Sequence, residues 1–110
     1  MVRQAIAAFL EGNLELKTYQ SLAEELRKLI TTYRSGSSDL AHLSQRSETL
    51  IEAIRPHLTA DMFSQAINYV YLIEEMNALV LDENRRVTDM EQHEIFTQLI
   101  KIENLLLQNK

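Results

Sequence analysis

Residues 60–81 read ADMFSQAINYVYLIEEMNALVL, and residues 82–107 continue as DENRRVTDMEQHEIFTQLIKIENLLL. Not one Gly or Pro falls anywhere between Ala60 and Leu107. Turns and strand ends draw on those residues, so the whole stretch reads as helix. Its first part is apolar on most sides: Met62, Phe63, Ile67, Val70, Tyr71, Leu72, Ile73, Met76, Leu79, Val80 and Leu81 leave only a narrow polar face. A helix apolar over so much of its girth runs through the centre of a bundle or is covered by a partner. Asp82 to Arg86 is polar, and Val87, Met90, Phe96, Leu99, Ile100 and Ile102 then resume the pattern.

Upstream, Tyr19, Leu22, Leu26, Leu29, Ile30 and Tyr33 recur in steps of three and four, placing one apolar stripe on a first long helix. It ends at Ser35-Gly36-Ser37-Ser38, where Ser38 is the expected N-cap of the next helix and Asp39 sits in its first turn. Leu40, Leu43, Ser47, Leu50, Ile51 and Ile54 form the second stripe, with Ser44 and Ser47 leaving room for a neighbour. Pro56 stops that helix near Ile54, and Thr59 is the expected cap of the third. Before Tyr19, Ile6, Phe9 and Leu10 make a short apolar face, interrupted by Gly12-Asn13 with a kink or break. Short connections make consecutive helices antiparallel. The reading is one domain, residues 1–110: an all-α antiparallel bundle of three to four helices with a long third helix.

Lengths sharpen that reading. Unbroken, a helix from Ala60 to Gln108 spans about 70 Å, whereas helix one from Leu14 spans about 30 Å. The long helix must overhang its neighbours, break around Gln92–Glu94, or meet a partner. The expected uncovered face carries Val80, Val87, Met90 and Phe96, and these together with Met76 and Leu99 are the candidate protein-binding residues. Met76 and Met90 suit an adaptable surface that takes an amphipathic helix. The run Leu105-Leu106-Leu107 offers more apolar directions than one stripe needs, for docking back, for a homodimer or as a detachable segment.

The chain carries 11 Lys/Arg against 16 Asp/Glu, a net charge of −5, and the excess acid lies in its C-terminal half. Such a surface repels phosphate, which argues against nucleic-acid binding. There is no cysteine, so no disulfide or zinc–thiolate site is available. Asp39 and His42 share a helix face, but paired Glu-x-x-His motifs of a di-iron bundle are missing, and His57 and His93 read as solvated. Glu74 and Glu75, being adjacent, diverge on a helix and cannot act as a paired acid and base. No phosphate loop, nucleophile elbow or nucleophile–base spacing is present. The expectation is a protein with no catalytic residue, metal or cofactor. The apolar run Ala5 to Leu10 is too short for a signal peptide, and Glu74-Glu75 cut the longest membrane-span candidate, so the expected location is the cytoplasm.

The order of these features resembles the FliT-type flagellar export chaperones, with the related FlgN type close behind. The resemblance starts at Tyr19-Gln20-Ser21-Leu22, runs through Asp39-Leu40-Ala41-His42-Leu43-Ser44-Gln45-Arg46 and the aliphatic pair Leu50-Ile51, and is nearest at Leu79-Val80-Leu81-Asp82-Glu83-Asn84-Arg85-Arg86-Val87. It covers most of residues 14–100. It implies a bacterial cytosolic chaperone that holds a flagellar-type or related type III secretion client before export. Two alternatives stand beside it. One is a bacteriocin-immunity-like four-helix bundle, a class that tends to be basic; the other is a structural homo-oligomer pairing through the long helix.

Overall fold

A computed structural model describes residues 19–108 of the chain. The expected face at Ile6, Phe9 and Leu10 and the kink at Gly12 lie outside these residues. Helix α1 fills residues 19–34; α2 is Leu40–Ile54, α3 Ala60–Asp82 and α4 Asp89–Gln108, with a short 3-10 turn at Arg55–His57. Among the described residues there is no strand, and α3 is the longest helix bounded within them. The protein is an all-α bundle.

Side-chain pairings along the helices fix the topology. Arg46 of α2 meets Glu25 of α1 at 3.1 Å, while Tyr19, at the other end of α1, stacks at 5.3 Å from His57 beyond α2. The Lys101 ammonium lies 5.6 Å from the Tyr69 ring, joining α4 to α3. The Tyr33 hydroxyl donates to Gln92 near the start of α4, and the Tyr19 hydroxyl donates to the Leu106 carbonyl near its end at 3.5 Å. Helix α1 therefore runs antiparallel to both α2 and α4, with α4 closing the bundle against it, and the short connections turn α3 back against its own sequence neighbours.

The core follows the two stripes legible in the sequence. Leu26 and Ile30 from α1, Leu43, Leu50, Ile51 and Ile54 from α2, Val70 and Ile73 from α3, and Ile95, Leu99 and Ile102 from α4 are all essentially inaccessible to water. Ser44 and Ser47 are buried among them, where their small volume lets a neighbouring helix approach. Gln98 is buried too, its amide nitrogen donating to Glu94 at 2.9 Å.

The helix ends explain where the chain turns. Gly36 takes φ +82°, and the amides of Gly36 and Ser37 return to the Tyr33 and Thr32 carbonyls at 3.0 and 2.9 Å, closing α1 with a left-handed cap. The N-cap of α2 is Asp39 rather than Ser38: its carboxylate accepts from the His42 amide at 2.7 Å, which commits Asp39 to capping. Thr59 caps α3 as expected, accepting from Met62 at 3.1 Å.

The long third helix does break, but at residues 83–88 rather than around Gln92–Glu94. Asn84 adopts φ +50°, and the amides of Asn84 and Arg85 bond to the carbonyls of Leu81 and Val80 at 3.2 and 3.1 Å. That is the same closure as at Gly36, with asparagine tolerating the left-handed conformation. Thr88 and Glu91 then restart the helix as a reciprocal capping box. The Thr88 hydroxyl accepts from the Glu91 amide at 3.2 Å, and the Glu91 carboxylate accepts from the Thr88 amide at 2.9 Å.

Candidate functional site: the tip of the α3–α4 hairpin

In α3 the last buried residue is Ile73, and in α4 the first is Ile95. From Glu74 to Glu94 no residue is buried, although this stretch holds Met76, Leu79, Val80, Leu81, Val87 and Met90. The α3–α4 turn thus carries apolar side chains where the core has run out of neighbours to cover them. Leu72 is 41% exposed, Leu79 44%, Leu81 65% and Met90 83%. Leu72 and Leu79 are seven residues apart, so they share one stripe of α3, on the side away from Val70 and Ile73.

Acids interleave with that stripe. Glu75 and Asp82 are both exposed and stand three residues after Leu72 and Leu79, one helical turn along. On α4, Glu94 follows Met90 by one turn and is also exposed. Glu74 points elsewhere, which bears out its divergence from Glu75. It is partly buried and hydrogen-bonds Glu48 of α2. Burial, the hydrogen bond and the like charge of Glu48 push its carboxyl up to about 7.

The turn itself is held by one guanidinium. Arg85 grips Glu91 with two bonds of 2.8 and 2.9 Å, and donates to Glu83 at 2.8 Å and to the Arg86 carbonyl at 3.0 Å. Such a forked arrangement is directional as well as attractive. The bonds from Arg85, then that from the Thr88 amide, hold the Glu91 carboxyl down at about 2, and the two carboxylates push Arg85 upward. The tip is consequently a shaped surface, with its backbone fixed by a cap at either side.

The six expected binding residues separate in the structure. Met90 is fully on the surface; Met76, Val80 and Val87 are half-buried, with Met76 and Val87 leaning on the core. Phe96 faces α1, its ring edge-on to Tyr33 at 6.2 Å and under the Arg34 guanidinium at 5.7 Å. Leu99 is wholly within the core, which corrects its placement among the candidate binding residues. The cause is the break at residues 83–88: α4 turns back and α1 covers the face that an unbroken helix leaves open. The expectation missed Leu72, Leu79 and Leu81. The seven-residue spacing of Leu72 and Leu79 off the Ile67–Val70–Ile73 stripe is the signal that marks the first two.

Elsewhere, the described residues line further open grooves. One, of about 490 Å³, lies between the 3-10 turn and the start of α3, where Arg55 stacks 4.6 Å from the Phe63 ring. Another, of about 200 Å³, lies between α1 and α2, beside the Arg46–Glu25 pair. His42 lines the second; His57 is partly buried against Tyr19 rather than solvated, because α1 packs over the 3-10 turn. Among the described residues no three His, Cys, Asp or Glu side chains gather as metal ligands, and no helix is long and apolar enough to cross a membrane. No family model, curated protein or solved structure matches the chain.

Proposed function

We propose that the protein is a client-binding helical bundle whose docking surface is the tip of the α3–α4 hairpin, and that it acts as a cytoplasmic chaperone for a flagellar-type or related type III secretion client. The carrying observation is the stretch from Glu74 to Glu94, rich in aliphatic and methionine side chains yet without a buried residue. Exposed apolar clusters on a small bundle mark interaction sites. The resemblance to FliT-type chaperones supplies the biological setting. Met90 and Met76 add adaptability, since an unbranched thioether repacks around different partners. Covering about 400 Å² of such a surface gains roughly 10 kcal/mol at ~25 cal/mol per Å². Association costs consume part of that gain and leave a contact in the micromolar range.

The test is affinity isolation from the native host with the wild-type chain and with Leu79→Ser/Met90→Ser side by side. An exported structural protein recovered with the wild type and lost with the variant is the expected result. A client retained by the variant moves the docking site off the tip. Recovery of a toxin identifies the immunity-like alternative, and recovery of the chain alone the homo-oligomer.

A further inference from the structure

The formal charge of the chain has a definite address. Residues 72–94 contain Glu74, Glu75, Asp82, Glu83, Asp89, Glu91 and Glu94 against Arg85 and Arg86, a balance of −5. That equals the net charge of the entire protein, so the rest of the chain is balanced. Arg85 is spent within the tip on Glu83 and Glu91, and Lys101 lies beyond it, over the Tyr69 ring. Glu75 and Asp82 keep exposed positions one turn beyond Leu72 and Leu79 on α3, and Glu94 does so one turn beyond Met90 on α4. The surface thus alternates apolar and anionic groups at helical spacing.

From this juxtaposition we infer that the occupant of the tip is a cationic amphipathic helix, with aliphatic residues at i, i+4, i+7 and i+11 flanked by lysine or arginine. The inference rests on the docking reading above and adds the partner's chemistry to it. An apolar stripe alone accepts any amphipathic helix; a surround in which carboxylates outnumber the one exposed arginine, Arg86, disfavours acidic partners and speeds the approach of basic ones. A second copy of this chain is a poor fit, because its own tip would bring the same excess of carboxylates against this one. A basic flank also keeps its aliphatic stems along the leucines while its charges reach the carboxylates.

The experiment uses the full chain and three fluorescent 18-residue peptides that share one leucine stripe and differ only in flanks of lysine, glutamine or glutamate. Binding is read by anisotropy at low and high salt, with the wild type, Leu72→Ser/Leu79→Ser and Glu75→Lys/Asp82→Lys. The expected order is lysine, then glutamine, then glutamate, with the last at least about tenfold weaker than the first. That gap narrows at 1 M salt, where the Debye length falls to about 3 Å, and in the charge-reversed variant. The leucine variant loses all three. Should charge reversal lower the melting temperature, Glu75→Gln/Asp82→Asn carries the same comparison. Equal binding of all three peptides overturns the charge inference and leaves the docking surface standing. A lysine preference untouched by reversal overturns its placement at the tip. Failure of every peptide to bind removes the docking reading, and the inference with it.

Discussion

Helix α2 and the stretch from Glu74 to Glu94 each contain seven residues of the apolar class, yet their fates are opposite. Five of the α2 residues, Leu40, Leu43, Leu50, Ile51 and Ile54, are buried, together with Ser44 and Ser47. The tip buries none. Composition does not separate the two. Periodicity and neighbours do: the apolar residues of α2 lie on one face, between α1 and α3, whereas those of the tip point round the helix at the end where the chain reverses. Where every apolar group has a neighbour, burial becomes stability. At the tip the same groups remain as surface, available for binding.

The largest expected effect breaks the packed side of that comparison. Leu99→Asp places an unpaired charge in the buried core that also holds Leu26, Ile51 and Ile73, and should cost several kcal/mol or unfold the domain outright by circular dichroism. Ile51→Asp should do the same from α2.

Next comes the frame that holds the tip. Thr88→Ala removes the side-chain half of the α4 capping box and should cost about 1 kcal/mol in urea denaturation, with Arg85 still gripping Glu91. A loss well above that shows the turn to be stabilising the core as well.

Glu74 sits on the border of the two regions. Its carboxyl titrates at about 7 in the folded chain, above its ordinary value of 4.5, so the fold binds the proton more tightly than the unfolded chain does. The stabilising proton is held below pH 4.5 and lost as pH rises through about 7. Glu74→Gln should therefore stabilise the protein at pH 8, by on the order of 1 kcal/mol once solvent screening near the surface is allowed for. It should bring no gain at pH 4. Thermal melts at both pH values check the sign.

The smallest effect is the sharpest test of the exposed side. Met90→Ser should change stability by no more than a few tenths of a kcal/mol, because Met90 is already 83% accessible. Val87 leans on the core and should cost more when changed to Ser, so measuring the two separately resolves which of them faces a partner.

Much of the architecture was open to reading. The stripes of α1 and α2, the stop at Pro56 and the cap at Thr59 are local patterns, and each stands in the structure as the residues imply. The break of the long helix was legible too, in Asn84 and in the Thr88-x-x-Glu91 signature, but these are quieter than glycine or proline. Asn84 pays a smaller steric penalty in the left-handed region than other side chains, so a helix can end there without Gly or Pro. The sequence alone does not decide the cap of α2, because Ser38 and Asp39 are both good caps and only the bond to His42 chooses between them.

What the sequence determined by itself is therefore the material of the fold: helices, their apolar faces and most of their ends, since propensity, capping and spacing act within a few residues. It also determined the charge, and hence that residues 72–94 are acidic. Which apolar groups remain open was decided by tertiary structure alone. Leu99 and Met90 look alike as members of one amphipathic pattern, yet the first is sealed beneath α1 and its neighbours and the second faces water. The reason is that burial belongs to a pair of surfaces. It depends on where the chain reverses and how far each neighbouring helix reaches, and neither is written in the period of a single helix.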